Sequence, residues 1–119
     1  MTLVAEPGAA GGLGLVWTYC TAEEAVSNGV PWEEAGGPVA DLLHTAHDAE
    51  IAAVCKKGTD GTVRVSLRSR DRIDVGEIAA GLGGGGHRSA AGFTSCTDVP
   101  ATMALVRHVL APWERRTPA

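Results

Sequence analysis

Four segments of the chain are rich in β-prone residues and are predicted to be strands. They run over residues 13–20, 50–57, 62–69 and 90–96. The third segment alternates most clearly, because Val63, Val65 and Leu67 fall on one face and the residues between them are polar. Gly58-Thr59-Asp60-Gly61 joins the second and third segments, which predicts a β-hairpin. Arg68 should therefore project from the polar face near the end of a strand.

Capping signals predict four helices between and after these strands. Thr21 and Glu24 have capping-box spacing for a short helix that ends near residues 28–29, and Gly36-Gly37-Pro38 precedes a second helix with apolar positions through residue 46. Asp74 and Glu77 open a third, which must stop at the four glycines 83–86. The segment 98–100 (Asp-Val-Pro) opens a fourth, with one apolar stripe that continues to residue 113.

The elements therefore follow the order β-α-α-β-β-α-β-α. This order predicts an α+β fold with a mixed sheet of about four to five strands flanked by helices. The chain has 119 residues, which corresponds to a single domain. Residues 1–12 are small and Gly-rich and are predicted to be a linker, and residues 13–119 form the domain.

Composition favours a soluble protein of the cytoplasm. No apolar run approaches the roughly 18 residues that a membrane span needs, and the N-terminus lacks the pattern of a signal peptide. Three cysteines, Cys20, Cys55 and Cys96, show no Cys-x-x-Cys spacing, which indicates reduced thiols rather than a disulfide framework or a zinc site.

Charge is distributed unevenly along the chain. The net charge is −4, yet residues 56–88 hold seven basic side chains against four acidic ones. A basic segment within an acidic protein indicates a local anion site or a solvated charged face, rather than broad adhesion to polyanions.

The segment from Gly83 to Gly92 carries the strongest signal for chemistry. Consecutive glycines can direct backbone N–H groups into one concavity that suits phosphate oxygens, and His87, Arg88 and Arg68 would neutralise the charge. A flexible connection between a helix and a strand is the alternative interpretation. Ala90-Ala91-Gly92 favours the first, because three small residues indicate close packing of backbone on backbone.

These motifs together resemble a known family. Residues 66–69 (Ser-Leu-Arg-Ser), Asp74-Val75, Ile78-Ala79 and the run Gly-Gly-Gly-Gly-His87-x-x-Ala-Ala-Gly92 are similar to the C-terminal, DHH-associated substrate-binding domain of DHH-family phosphoesterases. The resemblance spans about residues 13–113. Within that superfamily it is greatest to the branch of oligoribonucleases (nano-RNases) and 3′-phosphoadenosine 5′-phosphate (pAp) phosphatases, with cyclic-dinucleotide phosphodiesterases as close relatives.

The resemblance implies that this domain grips a nucleotide while a separate DHH domain, in cis or in trans, holds two manganese ions and cleaves the phosphoester. Its implied partner is a short RNA or the 5′-phosphate end of a nucleotide. By position, the substrate-binding residues are Arg68, Ser69, Gly84, Gly85, Gly86 and His87, and Arg88 joins them only for its charge. The chain lacks an Asp-His-His motif, so we expect it to bind no metal or cofactor and to hydrolyse nothing alone.

Several alternatives stay open from sequence. The chain could serve as a general RNA-binding module similar to that of alanyl-tRNA synthetases, or as a scaffold or homodimerisation domain whose site has lapsed. His44, His47 and Asp48 are better explained by the polar face of a helix than by a metal site. His108 is expected to be peripheral, and Trp17, Trp32 and Trp113 are expected to pack rather than to stack on bases.

Overall fold

Six strands form one mixed sheet in the part of the protein that the structure, a computed structural model, describes: residues 3–8, 12–21, 49–70 and 72–112. The strands are β1 (Leu3–Glu6), β2 (Leu15–Thr21), β3 (Ile51–Lys57), β4 (Val63–Ser69), β5 (Gly85–Gly86) and β6 (Ala90–Ser95). The described helices are α1 (Val75–Gly81) and α2 (Val99–Leu110). The predicted α+β class is confirmed, and the strand count exceeds the expected four to five because β1 and β5 add to the sheet.

The strands lie in the order β1-β2-β3-β4-β6-β5. β2 and β3 run parallel, whereas every other neighbouring pair is antiparallel. β3 lies inside the sheet, and its first five residues, Ile51 to Cys55, are all buried. A strand buried on both faces needs a continuous apolar run, which explains why this segment does not alternate.

The two faces of the sheet differ at β4. Val63, Val65 and Leu67 point to the core face, where α1 and α2 complete the main hydrophobic cluster with residues such as Ile78 and Met103. On the opposite face, a second buried cluster lies at β2 and β3 and consists of Val16, Ala49, Ala52 and Val54. The β4 residues on that face, Arg64, Ser66 and Arg68, are exposed. We call this exposed side of β4, β6 and β5 the open face.

Both described helices begin at the predicted caps. The Asp74 side chain accepts a hydrogen bond from the Glu77 N–H at 3.1 Å, and the Asp98 side chain accepts one from the Ala101 N–H at 2.8 Å. Each carboxylate satisfies a backbone donor that the first helical turn leaves without a partner. α1 is only seven residues long because the glycines that follow it end the helix.

The linker predicted for residues 1–12 is wrong where the structure describes it. Leu3–Glu6 is strand β1, paired antiparallel with β2. The Glu6 carboxylate accepts two hydrogen bonds of 2.7 Å from the Arg107 guanidinium of α2, and another from the Trp17 indole N–H. The sequence pattern did not predict this strand, because its few apolar residues lie among glycines and alanines. The strand is stabilised by contacts with residues that are distant in sequence.

Several predictions lie outside the described residues. The two helices expected between residues 21 and 46 fall largely in this part of the chain, as do His44, His47 and Asp48 of the disfavoured metal site. Trp32 and Trp113 also lie there. Trp17 is partly buried against the core cluster, as expected of a packing residue.

Candidate phosphate-binding site

The first two glycines of the run 83–86 end helix α1. The Gly83 N–H donates to the Ala80 carbonyl at 3.3 Å, and the Gly84 N–H donates to the Ala79 carbonyl at 2.8 Å. This pair of bonds is a Schellman motif, which requires a left-handed residue after the helix, and Gly83 has φ +88°. The prediction that consecutive glycine N–H groups converge on a ligand is therefore wrong for these two residues, because the helix already uses their donors.

The next glycines permit backbones to pass unusually close to each other. A Cβ on Gly84 would overlap the Gly92 carbonyl oxygen and lie 2.7 Å from the Phe93 Cα, and a Cβ on Gly86 would lie 2.5 Å from the Ala91 Cα. A Cβ on Gly92 would in turn lie 2.8 Å from the Val65 carbonyl oxygen. Real side chains essentially never approach backbone this closely, so the predicted packing of backbone on backbone is confirmed.

β5 and β6 form a tight hairpin whose turn is Arg88-Ser89. The His87 N–H donates to the Ala90 carbonyl at 2.7 Å, and the Ala90 N–H donates back to the His87 carbonyl at 3.3 Å. This exchange places His87 directly opposite Ala90. The hairpin therefore extends the sheet by one short edge strand and presents His87 at its end.

Neighbouring elements hold that turn in place. The Arg88 carbonyl accepts hydrogen bonds from the Val75 N–H at 2.9 Å and from the Ser69 Oγ at 3.4 Å, and the Ser69 N–H donates to the Ser89 carbonyl at 3.1 Å. Ser69, predicted as a ligand contact, is buried and uses its hydroxyl within the protein. In this structure Ser69 positions the turn.

Sheet register brings two predicted site residues into one row. Arg68 of β4 pairs with Ala90 of β6, and Ala90 lies opposite His87. Arg68, Ala90 and His87 thus share the open face, and two strand spacings separate the Cα atoms of Arg68 and His87 by about 10 Å. Both side chains are exposed, and within the described residues the Arg68 guanidinium has no hydrogen-bond or ion-pair partner. An arginine side chain is long enough to reach a phosphate held near His87.

The neighbouring row carries almost no side chains. Ser66, Gly92 and Gly85 lie side by side on β4, β6 and β5. A Cβ on Gly85 would meet nothing within 4 Å, so this position faces open space. We call Ser66, Gly85, Ala90 and Gly92 the glycine floor. A ligand can lie directly against the backbone there, beside Arg68 and His87.

Gly86 adds a backbone donor at the edge of this floor. Because His87 and Ala90 exchange both of their hydrogen bonds, the adjacent pair of Gly86 and Ala91 is a non-bonded pair. The Gly86 N–H then points away from β6, at the outer edge of the sheet. A phosphate oxygen can accept from such a donor. Of the predicted glycine contacts, Gly86 therefore offers an N–H, Gly85 offers space, and Gly84 has a packing role.

Arg88 forms an ion pair within the protein. Its guanidinium lies 3.9 Å from the carboxylate of Asp74, the residue that caps α1, and both side chains are partly exposed. An ion pair of this length at the surface is weak. Asp74 therefore offsets the charge of Arg88 without removing it from reach of a ligand.

Sequence reasoning missed Gly76, a residue of α1 that shapes this site. A Cβ there would lie 2.9 Å from the His87 carbonyl oxygen and 3.0 Å from that of Gly86. Glycine thus lets the helix sit directly against the hairpin that presents His87. A glycine within the first turn of a predicted helix was the available signal, since it costs helix stability and needs a packing reason.

The described residues contain no group of three or more His, Cys, Asp or Glu side chains that could hold a metal ion. No helix within the described ranges is long and apolar enough to cross a bilayer.

Comparison with known proteins agrees with the arrangement of these elements. An exopolyphosphatase-related protein from Bacteroides fragilis matches with a TM-score of 0.73 and 18% identity, over 86% of this chain and 30% of that one. A pGpG-specific phosphodiesterase from Vibrio cholerae matches with a TM-score of 0.56 and 19% identity, over 80% and 32%. The C-Ala domain of Aquifex aeolicus alanyl-tRNA synthetase matches with a TM-score of 0.55 and 14% identity, over 83% and 92%.

At these identities, the three structures are similar to this chain in fold. The chain spans about a third of the length of the Bacteroides and Vibrio proteins. The family model of the DHHA1 domain, which is the domain associated with DHH phosphoesterases, matches residues 18–111. The family predicted from the glycine run and its flanking motifs is therefore confirmed at this level: the chain belongs to the DHHA1 domain family.

Proposed function

We propose that this chain is the substrate-recognition domain of a DHH-type phosphoesterase, and that it binds the 5′-phosphate end of a short oligonucleotide. The observation that carries the proposal is the row on the open face in which Arg68 and His87 flank Ala90. These two side chains lie beside the glycine floor, which has no bulky side chains. Ser69 and Val75 hold the turn of the hairpin that presents His87. A rigid site of this kind loses little entropy when it binds a ligand.

In this proposal each group has a distinct task. Arg68 binds phosphate oxygens in the bidentate geometry that a guanidinium favours, and His87 contacts the same group from the far end of the row. The Gly86 N–H donates a further hydrogen bond. The glycine floor accepts the sugar, because Gly85 leaves the backbone accessible.

Hydrolysis would require a DHH catalytic domain, in cis or in trans, that brings its own pair of manganese ions. Those ions would supply an activated water and charge stabilisation. The Vibrio protein, a phosphodiesterase specific for pGpG, supports a dinucleotide as the substrate class. A substrate with a single internal linkage fits a site that holds one terminal phosphate.

The test is a titration of a labelled 5′-phosphorylated dinucleotide at about 100 mM salt. Arg68→Gln and His87→Ala should each weaken binding more than tenfold, since a charge-assisted hydrogen bond contributes about 1.5–3 kcal/mol. His108→Ala is the matched control, because His108 is an exposed histidine on α2, which packs on the core face. The control should bind like the unchanged protein.

Other results would support the alternative functions. Preference for long RNA over the dinucleotide, with affinity that falls steeply with salt, would indicate a general RNA-binding module. Absence of binding to both ligands at millimolar concentration would contradict the proposal and favour a scaffold with a lapsed site. Equal losses in His87→Ala and His108→Ala would show that His87 makes no specific contact.

A further inference from the structure

One member of the glycine floor has a side chain that forms hydrogen bonds, and it has no task in phosphate binding. Ser66 is exposed on the open face of β4, two residues before Arg68. The other members of the floor, Gly85, Ala90 and Gly92, offer a ligand no side-chain donor or acceptor. Within the described residues, the Ser66 hydroxyl has no hydrogen-bond partner. It is therefore free to bind a ligand that lies on the floor.

The sheet fixes the position of this hydroxyl. A serine side chain has one rotatable bond before its oxygen, so the oxygen stays close to the backbone in every rotamer. Ser66 pairs with Val54 on β3, which is buried in the second apolar cluster, and with Gly92 on β6. The hydroxyl thus lies at the border between apolar side chains and bare backbone. It is one row, about 7 Å along β4, from the row of Arg68 and His87.

The chemistry of the ligand determines which group meets this hydroxyl. In the first nucleotide of a 5′-phosphorylated dinucleotide, the 5′ oxygen carries the terminal phosphate and the 3′ oxygen belongs to the internal linkage. The 2′-hydroxyl is therefore the one free hydroxyl of that ribose. A 2′-hydroxyl and a serine hydroxyl are each both donor and acceptor, so they can pair in either direction. A deoxyribose offers only a C–H group at the same place.

We propose that Ser66 is a specificity-determining residue, which binds the 2′-hydroxyl of the ribose next to the terminal phosphate and so favours a ribonucleotide at that position. This inference rests on the proposed function, because Arg68 and His87 hold the phosphate one row away. Gly85 contributes by leaving open space, since a side chain there would keep the sugar away from the floor. The preference should depend on one sugar and one hydroxyl, which attraction between charges would not produce.

The experiment compares three 5′-phosphorylated dinucleotides in titrations of the full chain at about 100 mM salt. They are the diribonucleotide, a variant with deoxyribose only in the first sugar, and a variant with deoxyribose only in the second. The unchanged protein should bind the diribonucleotide about three- to tenfold more tightly than the first-sugar variant, the effect of one neutral hydrogen bond. The second-sugar variant should bind like the diribonucleotide. Ser66→Ala should lower affinity for the diribonucleotide to that of the first-sugar variant, whose own binding should not change.

Thr94→Val is the matched control. Thr94 is another exposed hydroxyl of the open face, but it pairs with Arg64, one row beyond Ser66. The control should keep the full preference. A preference that persists in Ser66→Ala, that follows the second sugar, or that is lost equally in both variants would overturn the role of Ser66.

The same titrations separate this inference from the proposed function. Equal affinity of the unchanged protein for the diribonucleotide and the first-sugar variant would overturn the role of Ser66 but would leave the proposed function intact. Failure of all three dinucleotides to bind would overturn the proposed function and the role of Ser66 with it.

Discussion

Two adjacent glycines of the hairpin provide a sharp test of why the chain has four in succession. Gly84 and Gly85 are both exposed, and both lack a positive φ. They differ in what an added methyl group would meet. At Gly84 it would collide with the backbone of Gly92 and Phe93, whereas at Gly85 it would meet nothing within 4 Å.

The expected energies follow from those contacts. Gly84→Ala forces a methyl group into β6 backbone that cannot rotate away, so we expect a loss of roughly 3 kcal/mol, at the upper end of overpacking effects. For a domain of this size that lowers Tm by about 10 °C. Gly85→Ala introduces no clash and restricts the unfolded chain, so its Tm should be unchanged or higher by about 2–4 °C.

Thermal unfolding followed by circular dichroism, together with urea denaturation, measures both variants. If Gly84→Ala unfolds within 2 °C of the unchanged protein, the reasoning about backbone packing is refuted, and the run is only a flexible connection. If Gly85→Ala is destabilised as much as Gly84→Ala, the result contradicts the statement that Gly85 faces open space on the open face. Because the two substitutions are chemically identical, differences in helix or strand propensity alone cannot separate them to this extent.

Two further variants test ion pairs. The Arg107 guanidinium that donates to Glu6 lowers the pKa of that carboxyl, so the pair stabilises the fold above the ordinary carboxyl pKa and this contribution is lost as the pH falls through the lowered value. Glu6→Gln should therefore cost about 1 kcal/mol at neutral pH and much less near pH 3, measured by urea denaturation at both values, and an equal cost at both would contradict the ion-pair account. Asp74→Asn keeps a residue that caps helices well but removes the negative charge next to Arg88, so it should tighten dinucleotide binding about two- to fivefold at low salt while Tm stays nearly constant. An unchanged affinity would show that the charge of Arg88 does not contribute to dinucleotide binding.

Much of the central fold was predictable because its signals are local. The alternation in residues 63–68 identified β4 and the outward direction of Arg68, and the caps Asp74 and Asp98 located the starts of both described helices. Glycine signals located the end of α1. Each of these features depends on residues within a few positions of one another, so one sequence suffices to find it.

Strand β1 and the roles of the individual glycines could not be predicted in this way. β1 depends on pairing with β2 and on the contact between Glu6 and Arg107, which are about a hundred residues apart in sequence. Gly84 and Gly85 are adjacent residues of the same type, so the sequence alone does not distinguish them. Only the position of β6 decides which of them is closely packed. Likewise, the sequence predicted Ser69 as a ligand contact, but in the fold its hydroxyl donates a hydrogen bond to the Arg88 carbonyl.

The separation of the two sheet faces links this architecture to the proposed function. Buried apolar residues of the core face, such as Leu67 and Met103, supply the stability, whereas the open face of β4 carries Arg64 and Arg68 without burying them. Removal of either guanidinium therefore leaves the core contacts unchanged and affects mainly the surface that a ligand would touch. The glycines contribute both to stability and to the proposed recognition site. Those that face the core let the hairpin pack closely against the domain, and Gly85 leaves the open face without a side chain. Binding and folding can consequently be changed independently in this domain, which is why matched substitutions at neighbouring positions can separate a recognition site from a structural one.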